Sequence, residues 1–320
     1  MTRASVVVFG PGYDDYRTEL DVLAPLGVER VEPVGLDDPD RDARLAEADA
    51  VLVREAPLRE EAIERMARCR AIVRYGVGLD NVALDAATRR GIYVANVPDY
   101  GTDEVAEHAL ALILAVVRRI AQRDRDIRAG AWGVGPRQKI SGMVGSTLGL
   151  VGFGRIAEAV ARKASGFGLR TTFAYDPERA SFPPGVVSTD LDTLLRESDI
   201  VSLHAPLTAT THHLIGEEQL AIMRDGVVLV NTARGGLIDE TALVRVLKSG
   251  HLRGVGLDVF EVEPLRADSE LRDCENVVLS DHAAWYSEAS LTRLKRSAAQ
   301  EVARCLAGEP PLNWVNRWTA

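Results

Sequence analysis

The stretch "LGLVGFGRIAEAV" (148–160) decides the fold. An apolar run ends in Gly152-Phe153-Gly154-Arg155-Ile156-Ala157, and a helix-forming segment follows it. The next apolar run, "TTFAY" (171–175), ends at Asp176, 22 residues beyond Gly154. Strand, glycine turn, helix, strand and acid in this order form a βαβ unit that wraps a dinucleotide. Gly152 permits the tight turn, Gly154 lets the backbone close on a pyrophosphate, and Ala157 lets helix and strand pack closely. The helix N-terminus then presents unpaired N–H groups and the positive end of its dipole. Asp176 is placed to accept the ribose hydroxyls and repel a 2′-phosphate, so the unit predicts NAD(H) in preference to NADP(H). Arg179 is the nearby charge that would work against that preference. The glycine pairs in "GPG" (10–12) and "GVG" (133–135) lack this context and read as plain turns.

Outward from this unit the same alternation recurs. Upstream, "SVVVF", "VERVEPV", "DAVLVRE", "RAIVRYG" and "IYVANVP" alternate with amphipathic segments up to Pro98. Downstream, "IVSLHAP", "VVLVNTA", "RGVGLDVF" and "ENVVLSDH" do the same. Short buried strands alternating with helices indicate parallel sheets of the α/β class. The expected architecture is two lobes, Rossmann-like and flavodoxin-like, with a cleft between them and long helices joining them. One such helix is expected from Asp103 to about Ala129, and another over 290–308. The expected domains are 1–100 plus 290–320 for substrate and 101–289 for the nucleotide.

The bulk properties narrow the function. The 320 residues suffice for two domains, and 38 basic against 47 acidic side chains leave a net charge of −9. That balance argues against a nucleic-acid partner or an anionic membrane surface. The basic segment "RRIAQRDRDIR" (118–128) reads as a solvated helix face because aspartates interrupt it. Cysteines at 69, 274 and 305 fit neither a disulfide framework nor a metal site. His212 and His213 are adjacent, so their side chains should diverge, and they are read as structural. The longest apolar tract, "ALALILAVV", is too short to cross a bilayer. A cytoplasmic protein without metal is expected.

Three charged groups follow later strands of the nucleotide unit, where ligands sit in such sheets. "VVLVNTARGGL" presents Arg234 on a loop that two glycines would keep open. "GVGLDVFEVEP" offers Asp258, Glu261 and Glu263, and "NVVLSDH" offers His282. Arginine clamps a carboxylate and polarises a carbonyl. Histidine supplies the proton as hydride reaches the carbonyl carbon. A glutamate on the other ring nitrogen fixes the tautomer and favours the imidazolium. The set suits reduction of a 2-oxo acid.

"GLVGFGRIA", "VNTARGGLIDE", "GLDVFEVEP" and "DHAAWYSE" resemble the D-isomer-specific 2-hydroxyacid dehydrogenase family. The likeness extends to "RYGVGLDNV", "NVPDYGTDEVAEHAL" and "THHLIG", and so spans about residues 70–300. The string from His282 to Glu288 looks most like the C-terminal-binding-protein branch. The resemblance implies that Arg234 binds substrate, Glu263 pairs with the histidine, and His282 is the acid/base. It implies that Val77 and Gly78 offer N–H groups to the substrate carboxylate. Residues 204–211, including Ala205, Pro206 and Thr211, would run beneath the adenosine. Thr232, Ala233, Arg234 and Asp258 would flank the nicotinamide beside His282, and Asp258 would hold its carboxamide. Trp285 would wall the substrate pocket and favour apolar or thioether side chains over phosphorylated ones. Tyr286 is read as structural, and Arg54, Arg74 and Arg137 as basic groups near the cleft. A homodimer formed through the nucleotide domains is also implied.

Formate dehydrogenases share the architecture but carry glutamine where this chain has Glu263, so the glutamate argues for a 2-hydroxy acid. The family usually has proline before the histidine, whereas this chain has Asp281, expected to face outward. The alternative function is an NAD(H)-sensing dimeric scaffold with little turnover, which the branch resemblance also implies.

Overall fold

The computed structural model describes residues 4–133, 140–275 and 277–318, so the expectations for Arg137 and for most of "GVG" (133–135) lie outside the described residues. The chain divides into two compact units, one of Met1–Gly101 with Ser287–Ala320 and one of Thr102–Tyr286.

The first unit is built on five parallel strands: β1 (Val6–Phe9), β2 (Val31–Val34), β3 (Ala50–Val53), β4 (Ala71–Arg74) and β5 (Tyr93–Ala95), in the order β2-β1-β3-β4-β5. β1 and β3 are buried along their whole length, as their unbroken apolar runs require. β2 contains Pro33, which removes a ladder donor, and it lies at the sheet edge where that donor is not needed. Leu45, Ile63, Ile72 and Ile92 fill the core on one face, each burial contributing about 2 kcal/mol. The C-terminal helix Glu288–Leu306 packs in this unit, and its start is capped by reciprocal bonds between Ser287 and Ser290.

The second unit holds seven parallel strands: β6 (Thr147–Val151), β7 (Thr171–Tyr175), β8 (Val186–Ser188), β9 (Ile200–Leu203), β10 (Val227–Asn231), β11 (Leu252–Leu257) and β12 (Val277–Leu279). Their order is β12-β11-β10-β9-β6-β7-β8. Alternate residues face opposite cores, with Leu229 and Leu203 on one side and Val228 and Val230 on the other. From β6 the chain winds one way through β7 and β8, then returns to β9 and winds the other way. The crevice between β6 and β9 is therefore the topological switch point, where ligands of such sheets bind.

The long helix expected from Asp103 is two helices, Thr102–Val117 and Ile120–Arg128, separated by Arg119 at a φ of 54°. Its apolar stripe, which includes Ala109, Leu110, Ile113 and Val117, is spent at Val117, and no residue of the second helix is buried. No buried residue on that helix ties it in line with the first.

Candidate active site

Strand register brings the ends of six strands into one line. Tyr175 pairs with Val151, Val151 with Leu203, Leu203 with Asn231, Asn231 with Leu257, and Leu257 with Leu279. The residues one step beyond this row are Asp176, Gly152, His204, Thr232, Asp258 and Ser280. All leave the same edge of the sheet, spaced by about 5 Å per strand.

At the nucleotide end, Gly152 has a φ of 81°, and a Cβ there would lie 2.5 Å from the backbone nitrogen of Ala205. Glycine is what lets β6 and β9 close at the switch point. A Cβ on Gly154 would meet no atom within 4 Å, so packing within the chain makes no demand for glycine there. The space in front of the helix Arg155–Ala164 is where a pyrophosphate would approach, and the N–H groups of its first turn face it. The Phe153 side chain is buried in the core, while Ile156 is half-buried and Arg155 exposed. Asp176 ties the turn together: Oδ2 accepts from Phe153 N at 2.9 Å and Oδ1 from Glu178 N at 3.1 Å. Arg179 is committed elsewhere. It donates to the carbonyls of Phe153 and Ser181, contacts Glu158, and lies 4.9 Å over the Phe153 ring.

Ala205 is buried and Pro206 exposed. The Thr211 hydroxyl donates to Pro206 O at 2.6 Å and accepts from Thr208 N at 2.7 Å, which folds this loop on itself. At the end of β10 the Thr232 hydroxyl is buried without a partner among the described residues. An orphaned buried hydroxyl at this row fits a bound group that completes its bonding. Together with the Gly152–Gly154 cradle, it makes the edge suited to a dinucleotide.

The Arg234 loop is not held open by its glycines. Gly235 and Gly236 are buried, and Gly235 lies directly on the Phe260–Glu261 backbone. Buried Asn231 pins the loop by donating to Arg234 O at 2.8 Å and accepting from Ala233 N at 3.0 Å. Arg234 itself donates to Ala233 O at 2.7 Å.

The three carboxylates after β11 separate by partner. Glu263 Oε2 meets His282 Nδ1 at 2.7 Å, and its Oε1 accepts from Phe260 N at 3.0 Å. Burial works against the Glu263 charge. The hydrogen bonds from His282 and Phe260 and the charges of His282 and Arg234 outweigh it, holding the carboxyl below its ordinary range. Glu261 pairs with His213 Nε2 at 2.7 Å. The two adjacent histidines do not diverge: His213 takes a φ of 52° and its ring stacks 4.0 Å from that of His212. Asp258 is fully buried and turns its carboxylate into the 280–284 loop, with Ser280 Oγ at 2.7 Å and the N–H groups of Ala283 and Ala284 at 3.0 Å. His282 sits in that loop at a φ of 55°, its N–H on Asp258 O at 2.8 Å. Trp285 is half-buried against exposed Tyr286, and Asp281 is exposed.

Sequence reasoning missed His108, whose Nε2 reaches Ser280 Oγ at 2.8 Å. Only its place in an otherwise apolar helix stripe marked it. In the first unit, Val77 is exposed and its carbonyl accepts from Asn96 Nδ2 at 2.7 Å. The Val77 and Gly78 N–H groups make no hydrogen bond among the described residues. Arg54 and Arg74 stand at the ends of β3 and β4, where their guanidinium groups lie against Gly12 and Gly76.

Comparison with known proteins agrees with this arrangement. The model of the D-isomer specific 2-hydroxyacid dehydrogenase NAD binding domain matches residues 110–284. A glyoxylate reductase of Korarchaeum cryptofilum is 44% identical over 82% of this chain and 80% of its own. A D-3-phosphoglycerate dehydrogenase of Mycobacterium leprae is 42% identical over 90% of this chain, though over 55% of its own length. Among solved structures, D-lactate dehydrogenase of Aquifex aeolicus, complexed with NAD and lactic acid, superposes with a TM-score of 0.87. It is 30% identical, and the match covers 98% of this chain and 100% of that one. A sheet edge suited to a dinucleotide, an arginine beside a histidine–glutamate pair and these matches place the chain in the D-isomer specific 2-hydroxyacid dehydrogenase family.

Proposed function

We propose that the protein interconverts a D-2-hydroxy acid and its 2-oxo acid with NAD(H), His282 exchanging the proton and Arg234 gripping the substrate carboxylate and carbonyl. The observation that carries this reading is the 2.7 Å contact between His282 Nδ1 and Glu263 Oε2. An ionised carboxylate only accepts, so Nδ1 carries a proton and Nε2 is left to face a substrate oxygen. NADH, when bound, supplies the hydride. The turn 152–156, the loop 205–211, Thr232 and Ala233 would hold it, and Asp176 would favour it over NADPH. Val77 and Gly78 would add N–H donors for the substrate carboxylate, and Trp285 an apolar wall.

A homodimer through the nucleotide-binding unit is part of this reading. Ile120, Ile127 and Trp132 on that unit are 57%, 51% and 92% exposed, which would give such a contact its apolar surface. Sedimentation at micromolar concentration tests it, and a monomer would refute it.

The decisive experiment is a panel of 2-oxo acids, from glyoxylate to branched, thioether and phosphorylated members, with loss of NADH absorbance as the readout. Turnover of at least one member is expected. His282→Ala should lower that rate by about a thousandfold while leaving NADH affinity intact. Tight NADH binding with no turnover on any member would favour the scaffold reading instead.

A further inference from the structure

The geometry points to His108 and Ser280 as positioning residues that hold the His282 loop in place through Asp258. This inference rests on the reading of His282 as the proton donor.

The helix Thr102–Val117 buries Ala106, Ala109, Leu110 and Ile113, and beside them it carries one half-buried imidazole, His108. Its Nε2 lies 2.8 Å from Ser280 Oγ, which lies 2.7 Å from Asp258 Oδ1. The direction of these bonds follows from valence. Both Asp258 oxygens already accept backbone N–H groups, from Ala283 and Ala284, so the carboxylate acts as the acceptor and the Ser280 hydroxyl donates to it. The serine oxygen is then an acceptor, and His108 Nε2 must carry a proton. A single chain of donors runs from helix to serine to carboxylate, with His108 Nε2 itself 3.5 Å from Asp258 Oδ1.

Asp258 passes this order on to the loop. It is fully buried, and donors from the loop meet both of its carboxylate oxygens, as burial of a polar group requires. The N–H groups of three consecutive residues converge on it: His282 on its carbonyl, and Ala283 and Ala284 on its carboxylate. These bonds hold His282 at a φ of 55°, a conformation that is unfavourable for a non-glycine residue and persists only where the surroundings over-determine it. That backbone aims Nδ1 at Glu263. Without Ser280 or its His108 support, the carboxylate is free to rotate toward other donors. The loop then relaxes, and the ring leaves Glu263.

The test uses the 320-residue chain with His108→Ala, His108→Gln, Ser280→Ala and the double variant H108A/S280A. Gln places an amide N–H close to the position of Nε2. The first readout is independent of turnover: the Nδ1–H signal of His282 in protein labelled with ¹⁵N-histidine, assigned by its loss in His282→Ala. We expect His108→Ala to broaden or abolish that signal and His108→Gln to restore it. The second readout is steady-state reduction of a 2-oxo acid. His108→Ala should lower kcat about tenfold with KM within about twofold, His108→Gln should recover most of it, and the double variant should match Ser280→Ala alone. An unchanged signal in His108→Ala, equal loss in both His108 variants, or additive effects in the double variant would each overturn the inference. A wild-type chain that reduces no 2-oxo acid overturns the functional reading, while the ¹⁵N signal still decides the positioning.

Discussion

A Cβ placed on Gly235 would stand 1.8 Å from the carbonyl carbon of Phe260. The Arg234 loop therefore lies on the very backbone that leads from β11 toward Glu263. The contact draws the end of β10 against the segment after β11, and the Arg234 charge helps hold Glu263 ionised. Gly235, which looks like a loop spacer in the sequence, brings a guanidinium to a carboxylate.

Gly235→Ala tests this closeness. The obstacle is backbone, so no rotamer change relieves it, and loop and segment must separate by about an ångström. A displacement of that size at a reacting geometry costs about a hundredfold in rate. We expect kcat/KM for 2-oxo acid reduction to fall by that order while NADH affinity, read by fluorescence, stays within about threefold. Activity within tenfold of wild type would show that residues 260–261 yield freely.

Glu263→Gln probes the histidine's partner. Glu263 carries its charge against the ring, and replacing it by glutamine removes a neighbouring anion, which as a rule favours the charged form of an imidazole. In the proposed reaction, reduction needs the protonated ring, which is lost as pH rises. With the anion gone, the ring gives up its proton earlier, so the alkaline limb of kcat/KM for reduction moves to lower pH. For oxidation, which needs the neutral ring, the acid limb moves the same way. Limbs that stay in place would dissociate Glu263 from proton transfer.

How much of this was legible before the structure depends on the range of the interactions. Each apolar run of four or five residues that ended in a polar one announced its own strand, so Asp176, Thr232 and Asp258 were visible as strand ends. Their alignment in one row was not, because register depends on pairing between strands far apart in sequence. β8, three residues with two exposed, has too little apolar pattern to register as a strand. The assignment of Asp258, Glu261 and Glu263 to three different partners was closed to composition and spacing. It depends on left-handed backbone at His213 and His282, which neither residue type announces. The break at Arg119 was hidden for the same reason.

Asp176→Asn separates charge from scaffolding at the nucleotide end. Asparagine can still accept from Phe153 N with its one oxygen, so that bond is kept while the bond from Glu178 N and the repulsion of a 2′-phosphate are lost. The ratio of kcat/KM for NADPH to that for NADH should rise by about tenfold, the scale of one charge-assisted hydrogen bond. Arg179 is already engaged by Phe153, Ser181 and Glu158, so full conversion to NADPH is not expected. An unchanged ratio would remove Asp176 from cofactor choice.

Asp281 is the residue that departs from the proline usual before this histidine, and its position predicts a small effect. Its neighbours are both anchored, Ser280 N on Leu257 O at 2.9 Å and His282 N on Asp258 O at 2.8 Å. The side chain between them is exposed. A solvated carboxylate acts on a nearby charge through water and counterions, which screen most of its field. Asp281→Asn should therefore change kcat/KM by less than about threefold and leave the alkaline limb where it is. Measured beside Glu263→Gln at the same ionic strength, the comparison is internal. A shift of the limb equal to that of Glu263→Gln would mean that the Asp281 carboxylate reaches the ring, and that this chain tunes its proton donor with a second acid.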